Sequence, residues 1–285
     1  MADLNPEWRA WLALVETTLD ALEDPAWGTA APDAPAPARP AAAPLLHGTT
    51  IRVDARRARR WVRRLVKTAA DESAPGAASL RRFRFRRLDA AALLEAAVAH
   101  DTPRIEQIAA EVDADPHALA AVAQLAARPL LQASGRRLAG HVPPGWDHGY
   151  CPVCGAWPAL AESRGIERAR RLRCARCGAD WNIVVLRCPF CGERDHRRQG
   201  GLVPDGEEEI RRVDTCHSCR GYVKTITTLR PIAPPAVLIE DLATVELDIA
   251  ALERGYARPE RPGYTVVVSV GDGARGPAVR SGAEA

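Results

Sequence analysis

No cysteine of this chain stands outside a pair, no stretch approaches the ~20 consecutive apolar residues that a membrane span requires, and no familiar catalytic signature occurs. The first absence excludes a left-over reactive thiol. The second leads us to expect a soluble, cytoplasmic protein, and Met1 to Asp20 agrees, since it carries acids and no basic region ahead of an apolar core. The third covers the nucleophile elbow, the glycine-rich phosphate loop and the His-Glu-x-x-His pattern, so no enzyme and no catalytic residue is expected. A large excess of one charge sign is also lacking: a net +3 over 285 residues implies no nucleic-acid partner by itself.

What is there is a block of eight cysteines between Cys151 and Cys219, arranged as Cys151/Cys154, Cys174/Cys177, Cys188/Cys191 and Cys216/Cys219. Each pair is a Cys-x-x-Cys turn that sets two thiolates on one side of a tight loop, so two turns face to face make a tetrahedral four-sulfur cage for zinc or iron. Disulfides would need an oxidising compartment, and a thioredoxin-type redox site would need one such pair rather than four. The expectation is therefore two metal sites.

The surroundings of the pairs repeat. Cys151-Pro152-Val153-Cys154-Gly155 and Cys188-Pro189-Phe190-Cys191-Gly192 are each followed by a hairpin, with turns near Ser163-Arg164-Gly165 and Pro204-Asp205-Gly206. The second and fourth pairs lead into β-formers at Trp181 to Leu186 and Tyr222 to Thr228. A unit of knuckle, hairpin, knuckle and strand thus occurs twice, which favours pairing the first knuckle with the second and the third with the fourth over a cross-braced arrangement. Glycine follows the second cysteine at Gly155, Gly178 and Gly192, where a positive φ is often required. Arg220 takes that place in the fourth knuckle, the least regular of the set.

The rest of the chain reads as mostly helical. Leu4 to Leu22 has Trp8, Trp11, Leu12, Val15, Leu19 and Leu22 near a 3.6-residue period, and Ala30 to Pro44 is so rich in alanine and proline that a mobile spacer is expected. Residues 52 to 87 hold thirteen Arg or Lys against Asp54, Asp71 and Glu72, a local balance of +10. Ala58, Trp61, Val62, Leu65 and Val66 make an apolar stripe there, and Arg56, Arg57, Arg59, Arg60, Arg63 and Arg64 flank it. The plain reading is the solvated face of a helix; a docking surface for an acidic protein is the sharper one, and nucleic acid comes third. Asp89 is expected to cap a helix over Ala90 to His100, and Thr102 the next. The pair of helices around Asp113-Ala114-Asp115-Pro116 has a helix-turn-helix outline but almost no side chains able to read bases. A last helix is expected to begin at Asp241 as its cap and to bury Leu242, Val245, Ile249 and Leu252. His148 and His217 are expected to neighbour the thiolates rather than ligate.

The expected fold class is α+β: an N-terminal α-helical domain, two tandem rubredoxin-like or zinc-ribbon modules and a C-terminal helix. The boundaries are an N-terminal helix over 1–24, an Ala/Pro-rich linker over 25–50 and a helical bundle over 51–148. Metal modules over 149–187 and 188–232 follow, then a C-terminal helix over 233–262 and a tail over 263–285 without fixed structure.

The four Cys-x-x-Cys pairs, Leu172 to Trp181, the run Gly221-Tyr222-Val223-Lys224 after the fourth knuckle, and Asp241-Leu242-Ala243-Thr244-Val245-Glu246-Leu247-Asp248 together resemble the formate dehydrogenase accessory protein family of the FdhE type. The resemblance is specific from about Cys151 to Pro259; Arg220, the Ala/Pro segment and the Arg-rich helix depart from it. It implies a cytoplasmic, chaperone-like maturation factor that engages the catalytic subunit of a respiratory formate dehydrogenase. It further implies rubredoxin-like iron sites, with Cys151, Cys154, Cys174 and Cys177 on one metal and Cys188, Cys191, Cys216 and Cys219 on the other. Thiolate ligation itself leaves iron and zinc open, and a homodimer is also left open. The rival from another class is a zinc-ribbon protein binding nucleic acid through residues 52–87, a partner that the side chains do not favour.

Overall fold

The computed structural model describes residues 9–72, 76–204 and 210–271. It divides into two compact units, one of Met1–Arg39, Leu46–Arg137 and Val266–Ala285, the other of Pro40–Leu45 and Leu138–Thr265.

The first unit is helical. Helix α1 (Arg9–Leu22) buries Leu14, Val15 and Leu22; the predicted start at Leu4 and the side chain of Trp8 lie outside the described residues. Helix α2 (Ala55–Asp71) starts where the Asp54 carboxylate accepts the Arg57 N–H. Its apolar stripe of Ala58, Trp61, Val62, Leu65 and Val66 is buried while Arg56, Arg59, Arg60, Arg63 and Arg64 face solvent, as the periodicity predicts. The indole of Trp61 donates to the Ala126 carbonyl at 2.9 Å, tying α2 to a helix further along. Helices α3 (Ala77–Arg81), α4 (Ala90–Ala99), α5 (Thr102–Glu111), α6 (Pro116–Ala126) and α7 (Arg128–Leu138) complete the bundle. Asp89 caps α4 as expected. The cap of α5 is Asp101 rather than Thr102, its carboxylate accepting the Arg104 N–H at 3.0 Å; an ionised oxygen there outcompetes a hydroxyl one residue on.

Two features of this unit depart from the sequence reading. Strand β1 (Thr49–Arg52) pairs in parallel with the last strand, β8 (Val268–Gly271), in the register Thr49↔Val268 to Arg52↔Gly271. Strand β8 falls in the tail over 263–285 expected to lack fixed structure, where Val266, Val268 and Val270 are buried; the rest of that tail, beyond Gly271, lies outside the described residues. The Ala/Pro-rich linker over 25–50 is also packed, the spacer from Ala30 to Pro44 included: Trp27, Ala30, Ala31, Ala43, Leu45 and Leu46 are buried, Pro25–Ala30 forms a 3-10 helix capped by Asp24, and Trp27 meets Trp61 edge-on with ring centroids 6.1 Å apart. Large side chains at the two ends of the segment add to the burial of its alanines.

The second unit is built on one six-stranded sheet in the order β4-β3-β2-β7-β6-β5. The first module contributes β2 (Leu160–Arg164), β3 (Ala169–Arg173) and β4 (Asp180–Asn182), and the second β5 (Gln199–Leu202), β6 (Arg211–Cys216) and β7 (Tyr222–Thr228). Both follow the predicted order of knuckle, hairpin, knuckle and strand, although part of the second turn, residues 205–209, lies outside the described residues. β4 is shorter than the predicted run, and Val184, Val185 and Leu186 are exposed. Neighbours within each module are antiparallel. The modules join through a parallel pairing of β2 with β7, from Leu160↔Lys224 to Arg164↔Thr228. The first strand of one copy meets the last strand of the other, a head-to-tail joint.

The predicted last helix is two: α8 (Ala236–Ala243) and α9 (Val245–Glu253). Val237 of α8 packs with Leu160 and Ile226, and Leu247 and Ala251 of α9 pack with Val213 and Tyr222. Asp241 therefore lies inside α8 instead of capping a helix, and Ile249 and Leu252, expected to be buried, are exposed. Asp241 is held electrostatically by Lys224 and Arg258, and α9 turns Leu247, Asp248 and Ala251 toward the sheet in place of Ile249 and Leu252.

Candidate metal centres

Each Cys-x-x-Cys turn folds the same way. The N–H of the first cysteine donates to the carbonyl five residues on: Cys151 to Ala156 at 2.8 Å, Cys174 to Ala179 at 3.0 Å, Cys188 to Glu193 and Cys216 to Gly221 at 2.9 Å. The residue after the second cysteine takes a positive φ in all four, at 79°, 75° and 78° for Gly155, Gly178 and Gly192 and 58° for Arg220. A non-glycine residue there carries strain of roughly 1–2 kcal/mol. The Arg220 side chain offsets it by donating to the Gly255 and Arg254 carbonyls at 3.2 and 2.7 Å and lying over the Tyr256 ring at 4.1 Å. The irregular fourth knuckle is thus braced by the chain that follows α9.

The folding of the hairpins brings the knuckles together in sequence order. Cys151, Cys154, Cys174 and Cys177 form one group and Cys188, Cys191, Cys216 and Cys219 the other, with all sulfurs of a group within 4.8 Å of one another. Between the two turns of each group, Cys151 and Cys177 approach to 3.4 Å, Cys154 and Cys174 to 3.6 Å, and Cys188/Cys219 and Cys191/Cys216 to 3.7 Å. The edge of a tetrahedron with metal–sulfur bonds of ~2.3 Å is about 3.8 Å. The sulfur spacing therefore fits a four-coordinate ion, and no cysteine of the groups is disulfide-bonded. Neither His148 nor His217 joins a group; His148 stacks on Tyr150 at 4.9 Å, and His217 donates its backbone N–H to the Arg198 carbonyl.

The two groups differ in their surroundings. All four cysteines of the first are buried, whereas Cys191 and Cys219 of the second are exposed. The first group is walled by Leu45, whose N–H donates to the Pro152 carbonyl at 2.7 Å, and by Tyr264, whose N–H donates to the Gly155 carbonyl at 3.0 Å. Burial pushes the Cys151 and Cys177 thiols up, while hydrogen bonds from the neighbouring thiols pull Cys174 down. In the second group burial raises Cys188 and takes Cys219 to about 11; at Cys216 burial is outweighed by the N–H groups of Cys219 and Ser218. Thiols held protonated in this way are deprotonated when a metal displaces their protons.

Sequence reasoning missed the ionic cluster beneath the second module. Lys224, fully buried on β7, donates to Asp241 at 2.8 Å and Asp248 at 2.7 Å. Arg258 reaches the same two carboxylates at 3.0 Å, and the Tyr222 hydroxyl donates to Asp248 at 2.8 Å. Burial, with Asp248 alongside, pushes the Tyr222 phenol up to about 12. The two motifs on which the resemblance rests, Gly221 to Lys224 and Asp241 to Asp248, thus meet in one place. A lysine amid β-formers and two aspartates seven residues apart were the available signal. The first module has a counterpart in Glu162, buried against Arg173 and bonded to Arg164 at 2.6 Å.

No family model matches the chain. Among curated proteins it is 34% identical over 119 residues to an FdhE homolog of Aquifex aeolicus, a match covering 41% of each chain. It is 36% identical over 114 residues to an FdhE homolog of Pseudomonas aeruginosa, covering 38% of this chain and 37% of that protein. To the FdhE protein of Escherichia coli it is 31% identical over 111 residues, covering 38% and 35%. The chain spans about two fifths of the length of these curated relatives. Among solved structures, the crystal structure of the FdhE protein from Pseudomonas aeruginosa superposes with a TM-score of 0.49 at 22% identity, over 90% of this chain and 94% of that one.

Proposed function

We propose, for a chain related over its matched portion to the FdhE family, that it is an accessory factor in formate dehydrogenase maturation, a non-catalytic protein that binds the enzyme's catalytic subunit in the cytoplasm. In this reading Cys151, Cys154, Cys174 and Cys177 hold one metal ion and Cys188, Cys191, Cys216 and Cys219 the other. The observation that carries it is the pair of four-cysteine groups at tetrahedral sulfur spacing in a chain similar to FdhE proteins. Iron so held supplies one-electron chemistry and zinc supplies none. The chain's own part is to fix the thiolates in tight loops and to anchor α8 and α9 on the sheet through Lys224.

The test is co-purification of the metal-loaded chain with a formate dehydrogenase catalytic subunit, alongside metal analysis and a visible spectrum taken without oxygen. Recovery of the subunit with two metal ions per chain supports the reading. Recovery of nucleic acid alone, with affinity falling along a log-log line in salt, overturns it in favour of binding through the exposed arginines of α2.

A further inference from the structure

The two cysteine groups share a fold and a ligand set but not an environment. In the first, Cys151, Cys154 and Cys174 have no exposed surface and Cys177 is 2% exposed. A Cβ added at Gly155 would run into the Tyr264 carbonyl, so that loop is closed over by chain from outside its own module. In the second, Cys191 and Cys219 are exposed, and a Cβ added at the matching glycine, Gly192, would meet nothing nearer than the Arg187 guanidinium at 4.0 Å. One exposed cysteine comes from each knuckle, so the open side spans both halves of the tetrahedron.

Access to a sulfur governs how fast a thiolate is attacked and how readily an incoming ligand displaces it from a metal. From this asymmetry we infer that the second group, opened through Cys191 and Cys219, is the site at which the chain exchanges its metal with solution, while the first retains its ion. The inference rests on the reading of both groups as metal centres. A chelator enters at the exposed edge, takes the ion as its own donors replace Cys191 and Cys219, and leaves thiolates that solvent protonates. Cys188 and Cys216, behind that edge, follow. The first centre offers no sulfur at which the exchange can begin.

The experiment uses the full chain loaded with zinc and treated with EDTA and iodoacetamide. Iodoacetamide traps each freed thiolate by forming an S–C bond with loss of iodide. Metal released is counted against time, and each cysteine is followed by peptide mass spectrometry. The expected result is loss of one of the two ions together with alkylation of Cys188, Cys191, Cys216 and Cys219, while Cys151, Cys154, Cys174 and Cys177 stay unmodified and the far-ultraviolet dichroism persists. Release of both ions in one step, or earlier labelling of the first group, overturns the inference and leaves the metal-centre reading standing. A chain that takes up no zinc overturns both.

Discussion

The ammonium of Lys224 lies 2.7 Å from a carboxylate oxygen of Asp248, one charge on the central strand β7 and the other on helix α9. Lys224 is fully buried, so its ammonium cannot fall back on water. Removing one partner of a buried pair typically costs about 3–5 kcal/mol where the other charge is left without a counterion; here Arg258 still reaches both carboxylates. Lys224→Met should therefore lower the stability of the metal-loaded protein by less than that but by more than about 1 kcal/mol in denaturant unfolding. A loss under about 1 kcal/mol, the range of an exposed pair, would show that the cluster does not hold the helices.

Asp241 gives the same cluster a pH signature. Burial raises its carboxyl, but Arg258 and Lys224 outweigh it and the group lies below its usual range. A carboxyl depressed in the fold contributes stability that is present above the unfolded value of about 3.9 and is lost as pH falls through the folded one. Asp241→Asn should be less stable than the parent at neutral pH, with the difference narrowing below about pH 4. Stability curves of the two proteins that run parallel through the acid range would contradict this.

The knuckle glycines separate backbone strain from steric closure. Both Gly155 and Gly192 have positive φ, so alanine costs roughly 1–2 kcal/mol at either. Only Gly155 also faces the Tyr264 carbonyl. Gly155→Ala should be the more damaging by thermal unfolding, and Gly192→Ala should retain both metals.

Arg220 tests the brace on the fourth knuckle. Arg220→Ala keeps the left-handed strain and loses the bonds to Gly255 and Arg254, so it should be destabilising. Arg220→Gly loses the same bonds but relieves the strain, and should exceed the alanine variant by about 1 kcal/mol. Equal stability of the two would mean that φ at this position carries no cost.

The cysteine groups were legible because their signal is local: each Cys-x-x-Cys turn declares itself within four residues, and the repeated hairpin orders the pairs. The stripe of α2 was legible for the same reason, Trp61 and Leu65 lying one turn apart. What escaped depends on residues far apart in the chain. Nothing near Thr49 announces Val268 as its partner, and Trp27 in a stretch of alanine and proline gives no sign of Trp61. Asp241 was misread because an aspartate ahead of an apolar run has the form of a cap, and only the fold reveals that Lys224 claims it.

The parallel joint of β2 with β7 also sets an order of events during synthesis. As the chain emerges, β2 finds β3 across a short turn, and the cysteines of the first group are all available by Cys177. The other edge of β2 has no partner until residues 222 to 228 have been made. Until then the nascent chain presents an open strand edge, the kind of surface that invites pairing with another chain. The ribosome must deliver the whole second module before the first is shielded.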